Sequence, residues 1–155
     1  MGNLHAKTAD CECDTKVWRK VMSRRSARKH ALELLFQMGF LEAQEHIQTK
    51  EVFFAQQEEP ITEEEKAYIL SMVEGTQQHL EEIDAWINRF AKGWDTQRMN
   101  RVDVTILRLA VYELKYSQEA PVGVIINEAV ELAKKFSSDE APAFINGVLG
   151  KIASA

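Results

Sequence analysis

Apolar positions recur at helical spacing in three runs between residues 99 and 152, and short turns that carry two of the three prolines separate the runs. Each run places its apolar residues three or four positions apart, which predicts an amphipathic helix. Such stripes must be buried, so the three helices are expected to pack together as the scaffold of the fold. The stripe positions are Val102, Ile106, Leu109, Ala110 and Leu114; Ile126, Ala129, Val130 and Ala133; and Ile145, Val148, Leu149 and Ile152.

The remaining chain also has helical periodicity. A first helix is predicted from Ser26, as its N-cap, to Met38, and Gly39 would end it. A looser helix is predicted over about 45–56. The further signals are a capping box of Thr62 with Glu65, a break between Gln77 and Asp84, and a cap at Asn100 with Asp103. No strand period of useful length is present, so the prediction is an all-α protein of about six to seven helices. The connection near 92–99 would divide them into two sub-bundles that share one core.

The length of 155 residues favours one domain, which we place at 23–155. Residues 1–22 have no hydrophobic period and are predicted to be a disordered extension. The alternative is that translation starts at Met22 and that the preceding residues result from a misassigned start. Cys11 and Cys13 form a weak candidate metal site and are better explained as incidental cysteines. No apolar run is long enough for a membrane span or a secretory signal, so we expect a cytoplasmic protein without a membrane partner.

Charge is distributed unevenly along the chain. The net charge is −5, but no acid occurs between Asp14 and Glu33, a stretch that contains seven lysines and arginines. Acids predominate between Glu42 and Asp84. A basic block on an acidic protein indicates a local anionic partner, nucleic acid first. The alternative is a solvated tail without a partner, and charge alone does not separate the two.

Catalytic chemistry finds little support. The four histidines lack metal-ligand spacing, and no nucleophile elbow, P-loop or dinucleotide fingerprint is present. Glu113 is the one acid inside an apolar stripe, where it would be a general acid or, more commonly, cap a helix or bond a tyrosine or arginine. No second acid is placed to complete a pair. We therefore expect no enzyme, no cofactor and no metal.

The residues suited to binding are basic, amide and aromatic. Four cations lie in and just before the first helical turns, and arginine offers several donors to phosphate. Phe144 beside amide and basic groups would suit single-stranded RNA, although core packing explains Phe144 equally well. A second, partly apolar face of the first helix would either bind a protein or pack on the next helix. These candidates are Arg24, Arg25, Arg28 and Lys29; Asn127, Lys134 and Phe144; and, on the second face, Leu32 and Phe36.

Several motifs together resemble the bacterial transcription antitermination factor NusB family. They are ARKHALELLFQM, W-x-x-x-R-M-x-x-V-D from Trp94 to Asp103, ILRLAVYEL, the INEAVELAKKF run after Pro121, and FINGVL. The likeness covers about residues 23–153. It implies an all-helical NusB-like bundle that binds the boxA element of ribosomal RNA leader transcripts. In that family the ribosomal protein S-ten, also called NusE, binds with the RNA, and RNA polymerase then reads through terminators.

The resemblance also implies positions for these contacts. The arginine-rich start maps onto Arg24, Arg25 and Arg28 as an RNA arm, with Ser26 where an arginine can occur. The RNA surface would continue to Glu140 and Phe144, and the protein-binding face would use Phe36 and Asp103. Some family members form a homodimer, which the Phe36 face would also permit. A helical module of this kind occurs fused to an RNA methyltransferase, but 155 residues leave no room for its cofactor-binding sheet. The rival reading is a structural or protein-interaction bundle without specific RNA binding.

Overall fold

The computed structural model describes residues 24–155, and within that range the chain is all-α, without a strand. The predicted extension 1–22, Met22 and the two cysteines lie outside the described residues. Seven α-helices and two short helical turns occur in the described range, and the predicted all-α class is confirmed. They are α1 (24–38), a 3₁₀ turn (Ala43–Glu45), α2 (His46–Ala55), α3 (Glu63–Gln78), α4 (Leu80–Phe90), α5 (Arg101–Tyr112), a π-helical turn (Glu113–Ser117), α6 (Val122–Phe136) and α7 (Ala141–Ser154).

Most predicted helix boundaries match the structure. The Thr62 hydroxyl oxygen accepts a hydrogen bond from the Glu65 backbone N–H at 3.1 Å, and the Glu65 carboxylate accepts one from the Thr62 N–H at 3.4 Å. This confirms the predicted capping box. The Asn100 side chain caps α5 by accepting from the Val102 N–H at 2.8 Å. The predicted break between Gln77 and Asp84 falls at His79, between α3 and α4.

Two boundary predictions are wrong. Ser26 is not an N-cap, because α1 is already helical at residue 24. Long-range contacts of Arg25 and Arg28 hold this first turn, and local sequence gives no sign of them. Asp103 does not cap α5; its carboxylate accepts a hydrogen bond from the Ser137 hydroxyl at the end of α6.

The buried apolar side chains form one continuous core, to which every α-helix contributes. Helix α5 packs against α3, α4, α6 and α7, and it is buried along most of its length. A bidentate ion pair between Arg108 and Asp84, with N–O distances of 2.8 and 2.9 Å, fixes α4 on α5. The largest fully buried side chains are Leu34, Met38, Ile69, Met72, Ile83, Ile87, Ile106, Leu107, Ile125, Ile145, Leu149 and Ile152.

Helices α3 and α5 meet at a glycine. A Cβ at Gly75 would lie 2.4 Å from the ring of Tyr112, so only glycine permits this approach. Directly after Tyr112 the helix widens into the π-helical turn. This turn ends at Gln118, whose φ is 51°. Glu113, the buried acid, is the first residue of this turn.

No helix in the described range 24–155 is both long and apolar enough to cross a membrane.

Candidate nucleic-acid interface

The first turn of α1 is docked by three separate contacts. One carboxylate oxygen of Glu128, on α6, accepts hydrogen bonds from Nε and Nη2 of Arg25 at 3.2 and 2.9 Å. The Arg24 guanidinium lies over the ring of Tyr68 on α3, 5.7 Å from its centroid. Arg28 bonds Glu113 on the π-helical turn. The expected arginine arm is therefore a helical turn fixed on three other elements.

Arg28 forms a buried ion pair and does not face solvent. Its Nε lies 3.1 and 3.2 Å from the two Glu113 carboxylate oxygens, and its Nη2 lies 3.0 Å from one of them. Both side chains are 6% exposed. Burial alone would lower the pKa of Arg28, but the hydrogen bond and charge of Glu113 outweigh it and raise that pKa.

The expectation that Arg28 belongs to an exposed RNA arm is therefore corrected. All its visible contacts serve to attach α1 to the fold, and a phosphate would have to displace Glu113 to reach it. The sequence left Glu113 either as a general acid or as a residue that caps a helix or bonds a tyrosine or arginine. In the structure it bonds an arginine.

Arg25 differs from Arg28 in exposure. Its side chain is 73% exposed, although its carboxylate partner Glu128 is only 11% exposed. The hydrogen bond and the charge of Glu128 raise the pKa of Arg25 above its ordinary value. Lys29 is half-buried beside these arginines. Arg25 thus offers a permanent positive charge to solvent from a fixed position.

The α6 candidates share one face of the helix whose Glu128 holds Arg25. Asn127 directly precedes Glu128 in the helix, and both Asn127 and Lys134 are exposed. Lys134 pairs with Glu131 at 3.2 Å, one helical turn beyond Glu128. Arg25 is close enough for the charge of Glu131 to affect its pKa. We define the RNA edge as Arg24, Arg25, Asn127 and Lys134.

The α7 candidates begin after the short turn at the end of α6. Glu140 is exposed and stands at the N-cap position of α7 without a side-chain cap. Phe144 is half-buried and packs against the core, so its ring is shared between core and surface. The structure is therefore partly consistent with each of the two alternatives for Phe144, RNA stacking and core packing.

The other end of α1 carries an aromatic patch, defined as Phe36, Phe40 and Arg101. The two phenyl rings meet edge to face with centroids 5.1 Å apart, and the Arg101 guanidinium lies 4.7 Å from the centroid of Phe40. Arg101 also donates to the Gly39 carbonyl at 3.2 Å. Phe40 is 57% exposed, so most of its ring faces solvent in the single chain.

The predicted protein-binding residues divide between this patch and the interior. Phe36 is half-buried within the patch. Leu32 is 4% exposed and belongs to the core, so its expected role at a binding face is corrected. Asp103 is half-buried and bonds Ser137, which links α5 to the end of α6.

Comparisons with known proteins show the family to which the chain belongs. A family model described as the NusB family matches residues 25–154. The chain belongs to the NusB family. Transcription antitermination protein NusB of Acetivibrio thermocellus is 42% identical over 131 residues, which are 84% of this chain and 88% of that protein. NusB of Agathobacter rectalis is 42% identical over 132 residues, which cover 85% of this chain and all of that protein.

Solved NusB structures share the fold. T. maritima NusB superposes with a TM-score of 0.74 at 30% identity, over 84% of this chain and 90% of that chain. A crystal structure of antitermination factors NusB and NusE in complex with dsRNA superposes with a TM-score of 0.76 at 25% identity, over 86% and 97% of the two chains. The resemblance to the NusB family and the predicted NusB-like fold are therefore confirmed.

Three residues that form or support the RNA edge and the aromatic patch were not predicted from sequence: Glu128, Tyr68 and Phe40. Glu128 lies next to the apolar stripe of α6. An acid in that position, in a chain with clustered arginines, could have been predicted to form an ion pair with one of them. Tyr68 gives no such signal. Phe40 follows Phe36 by four positions, but it lies beyond the glycine that ends the helix, where helical periodicity no longer applies.

Proposed function

We propose that this protein is a non-catalytic RNA-binding adaptor in transcription antitermination. It would bind boxA-type single-stranded RNA of ribosomal RNA leader transcripts together with ribosomal protein S-ten (NusE), and the complex would help RNA polymerase to read through terminators in the cytoplasm. The central supporting observation is the exposed Arg25, which Glu128 holds on α6, the helix that also carries the exposed Asn127 and Lys134. Membership of the NusB family supports the biological role.

The RNA edge would contact RNA in two ways. Arg24, Arg25 and Lys134 would contact phosphates, which supply affinity without sequence preference. Asn127 and the exposed part of the Phe144 ring would contact bases, because amides bond base edges and rings stack on bases. Glu140 and Lys29 would border this path. Arg28 would contribute by keeping α1 in place.

The aromatic patch would bind the protein partner. A half-exposed phenyl ring with a neighbouring guanidinium resembles the centre of many protein interfaces, where aromatic residues and arginine supply most of the binding energy. Phe36, Phe40 and Asp103 are the residues we assign to it. A homodimer through the same patch is the second candidate, since the patch is apolar and uncovered in the single chain. Residues 23–155 would act as one domain, as their continuous core suggests.

The test is binding of a boxA-like RNA and a scrambled RNA of equal length, each with and without NusE and at two salt concentrations. The variant is Arg24→Ala/Arg25→Ala, and Arg28 is left intact because its loss would disturb the fold. The matched control is Arg89→Ala/Arg98→Ala, which removes two exposed cations from elsewhere on the surface.

We expect wild type and control to prefer the boxA-like RNA, to bind it more tightly with NusE and to lose affinity with salt. The Arg24/Arg25 variant should lose most of the binding. Equal weak binding to both RNAs, unaffected by NusE and by the variant, would contradict the proposal and favour the structural or protein-interaction bundle.

A further inference from the structure

Glu128 has an unusual position for an acid at a surface meant for RNA. Its side chain is 11% exposed, whereas the Arg25 side chain in front of it is 73% exposed. Only its Oε1 atom contacts Arg25. The acid therefore lies behind the arginine, between it and the body of the protein.

The contact uses one edge of the guanidinium and leaves the other open. A guanidinium has five N–H groups, and Glu128 receives one from Nε and one from Nη2. The two N–H groups on Nη1 and the second on Nη2 point away from that edge. These are the groups that make a two-point contact with a phosphate.

The other arginines of the turn lack this arrangement. The Nε and Nη2 atoms of Arg28 are bonded to Glu113 inside the protein, and Arg24 rests on the face of an aromatic ring. Arg25 alone among these three is both exposed and oriented by a carboxylate. A long side chain normally loses rotamer freedom when it binds, and an arginine that is already held loses less.

We propose that Glu128 is a positioning residue that holds Arg25 with its Nη1–Nη2 edge directed at an RNA phosphate. This proposal rests on the proposed function. It differs from the simple electrostatic expectation, in which a carboxylate close to the RNA path repels phosphate and competes for Arg25. The two views predict opposite signs when Glu128 is changed.

The experiment measures RNA affinity against salt concentration for Glu128→Ala and Glu128→Gln, each with Arg25 intact and with Arg25→Ala. The RNA is the boxA-like sequence, and the scrambled RNA runs beside it. Glu131→Gln is the matched control, because it removes a charge from the same helix without removing the contact to Arg25. Circular dichroism melting identifies any variant that is misfolded at the assay temperature.

With Arg25 intact, Glu128→Ala should weaken binding by about two- to tenfold, the range set by the freedom of one long side chain. The slope of log affinity against log salt should fall by part of the roughly 0.7 that one phosphate contact on a single strand contributes, because the released Arg25 keeps its charge but occupies the contact for less of the time. Glu128→Gln should reduce the affinity and the salt slope less than Glu128→Ala does, because its amide oxygen still accepts a hydrogen bond. In the Arg25→Ala background neither substitution should have a further effect.

Tighter binding by Glu128→Ala would overturn the proposal in favour of competition. An equal loss in the Arg25→Ala background, or the same loss in Glu131→Gln, would also overturn it, because the effect would then not pass through Arg25. If wild type binds both RNAs equally, boxA selectivity fails, but the dependence of the salt slope on Glu128 and Arg25 still decides this proposal. Absence of binding to either RNA would overturn both.

Discussion

The two ends of helix α1 present opposite chemistries. At its beginning, arginines contact carboxylates on α6 and on the π-helical turn and a tyrosine on α3. At its end, the half-buried Phe36 and the exposed Phe40 form an aromatic pair beside Arg101. The helix spans residues 24–38, so the two ends lie roughly 20 Å apart at 1.5 Å per residue.

Under the proposed function, this difference would let one helix bind two partners through separate surfaces. The arginine end offers charge, which attracts a polyanion at long range and is screened by salt. The aromatic patch offers apolar area, which stabilises a close protein contact and depends little on salt. If the proposed function is right, changes at one end should leave binding at the other end intact.

The largest expected effect comes from the buried pair beneath the arginine end. Replacing Glu113 by Ala leaves Arg28 charged, buried and unpaired, which should lower the free energy of unfolding by about 3–5 kcal/mol. Urea unfolding followed by circular dichroism measures it. The double variant Arg28→Met/Glu113→Leu should recover much of the loss, because an apolar pair needs no compensating charge. A loss that is equal in Glu113→Ala and in the double variant would contradict this account.

The next effect concerns the aromatic patch. Phe40→Ala should weaken NusE binding by about tenfold or more, as truncation of a central aromatic residue does, and should leave RNA binding by the chain alone unchanged. Trp94→Ala is a matched control, since Trp94 is 55% exposed and Phe40 is 57% exposed. Isothermal titration calorimetry with NusE, and RNA titration without it, give the two affinities.

Size-exclusion chromatography of Phe40→Ala separates the two uses of the patch. If the patch forms a homodimer, wild type should elute as a dimer and the variant as a monomer. A variant that loses RNA binding as much as NusE binding would show that the two ends of α1 are not independent.

A smaller effect is expected from Arg24. Arg24→Ala should lower the salt slope of RNA binding by about 0.7, since one phosphate contact is lost, and should leave NusE affinity unchanged. Tyr68→Leu removes the aromatic face under Arg24 but keeps the charge, so it should lower the slope by less than Arg24→Ala does. Fluorescence anisotropy over a salt series measures both. A slope that is unchanged in Arg24→Ala would remove Arg24 from the RNA edge.

Features set by near neighbours in the chain could be predicted from sequence, and features set by distant ones could not. The Thr62 capping box joins positions three apart, and the helical stripes repeat every three or four positions, so both are visible locally. Arg25 and Glu128 are 103 residues apart, and Arg28 and Glu113 are 85 apart. Periodicity showed that Glu113 is buried and needs a partner, but it gave no means to choose Arg28 among several arginines. The same lack of long-range information made Ser26 look like a helix start and Leu32 like a binding residue.

The smallest effect tests the other face of the π-helical turn. The Tyr116 hydroxyl donates to the Glu82 carboxylate, and that hydrogen bond raises the pKa of Tyr116 to about 12. Because the folded state favours the neutral phenol, the stabilisation is complete below the ordinary tyrosine pKa of about 10 and is lost as the pH rises towards about 12. The melting temperature of wild type should therefore exceed that of Tyr116→Phe at about pH 8, and the difference should shrink from about pH 10 and approach zero as the pH passes about 12. Tyr68, whose pKa burial also raises, is present in both proteins and cancels from the comparison. The guanidinium groups of the α1 ion pairs stay charged over this pH range, so they do not contribute to the change. A difference between wild type and Tyr116→Phe that does not shrink between about pH 8 and about pH 12 would contradict a stabilising Tyr116–Glu82 hydrogen bond.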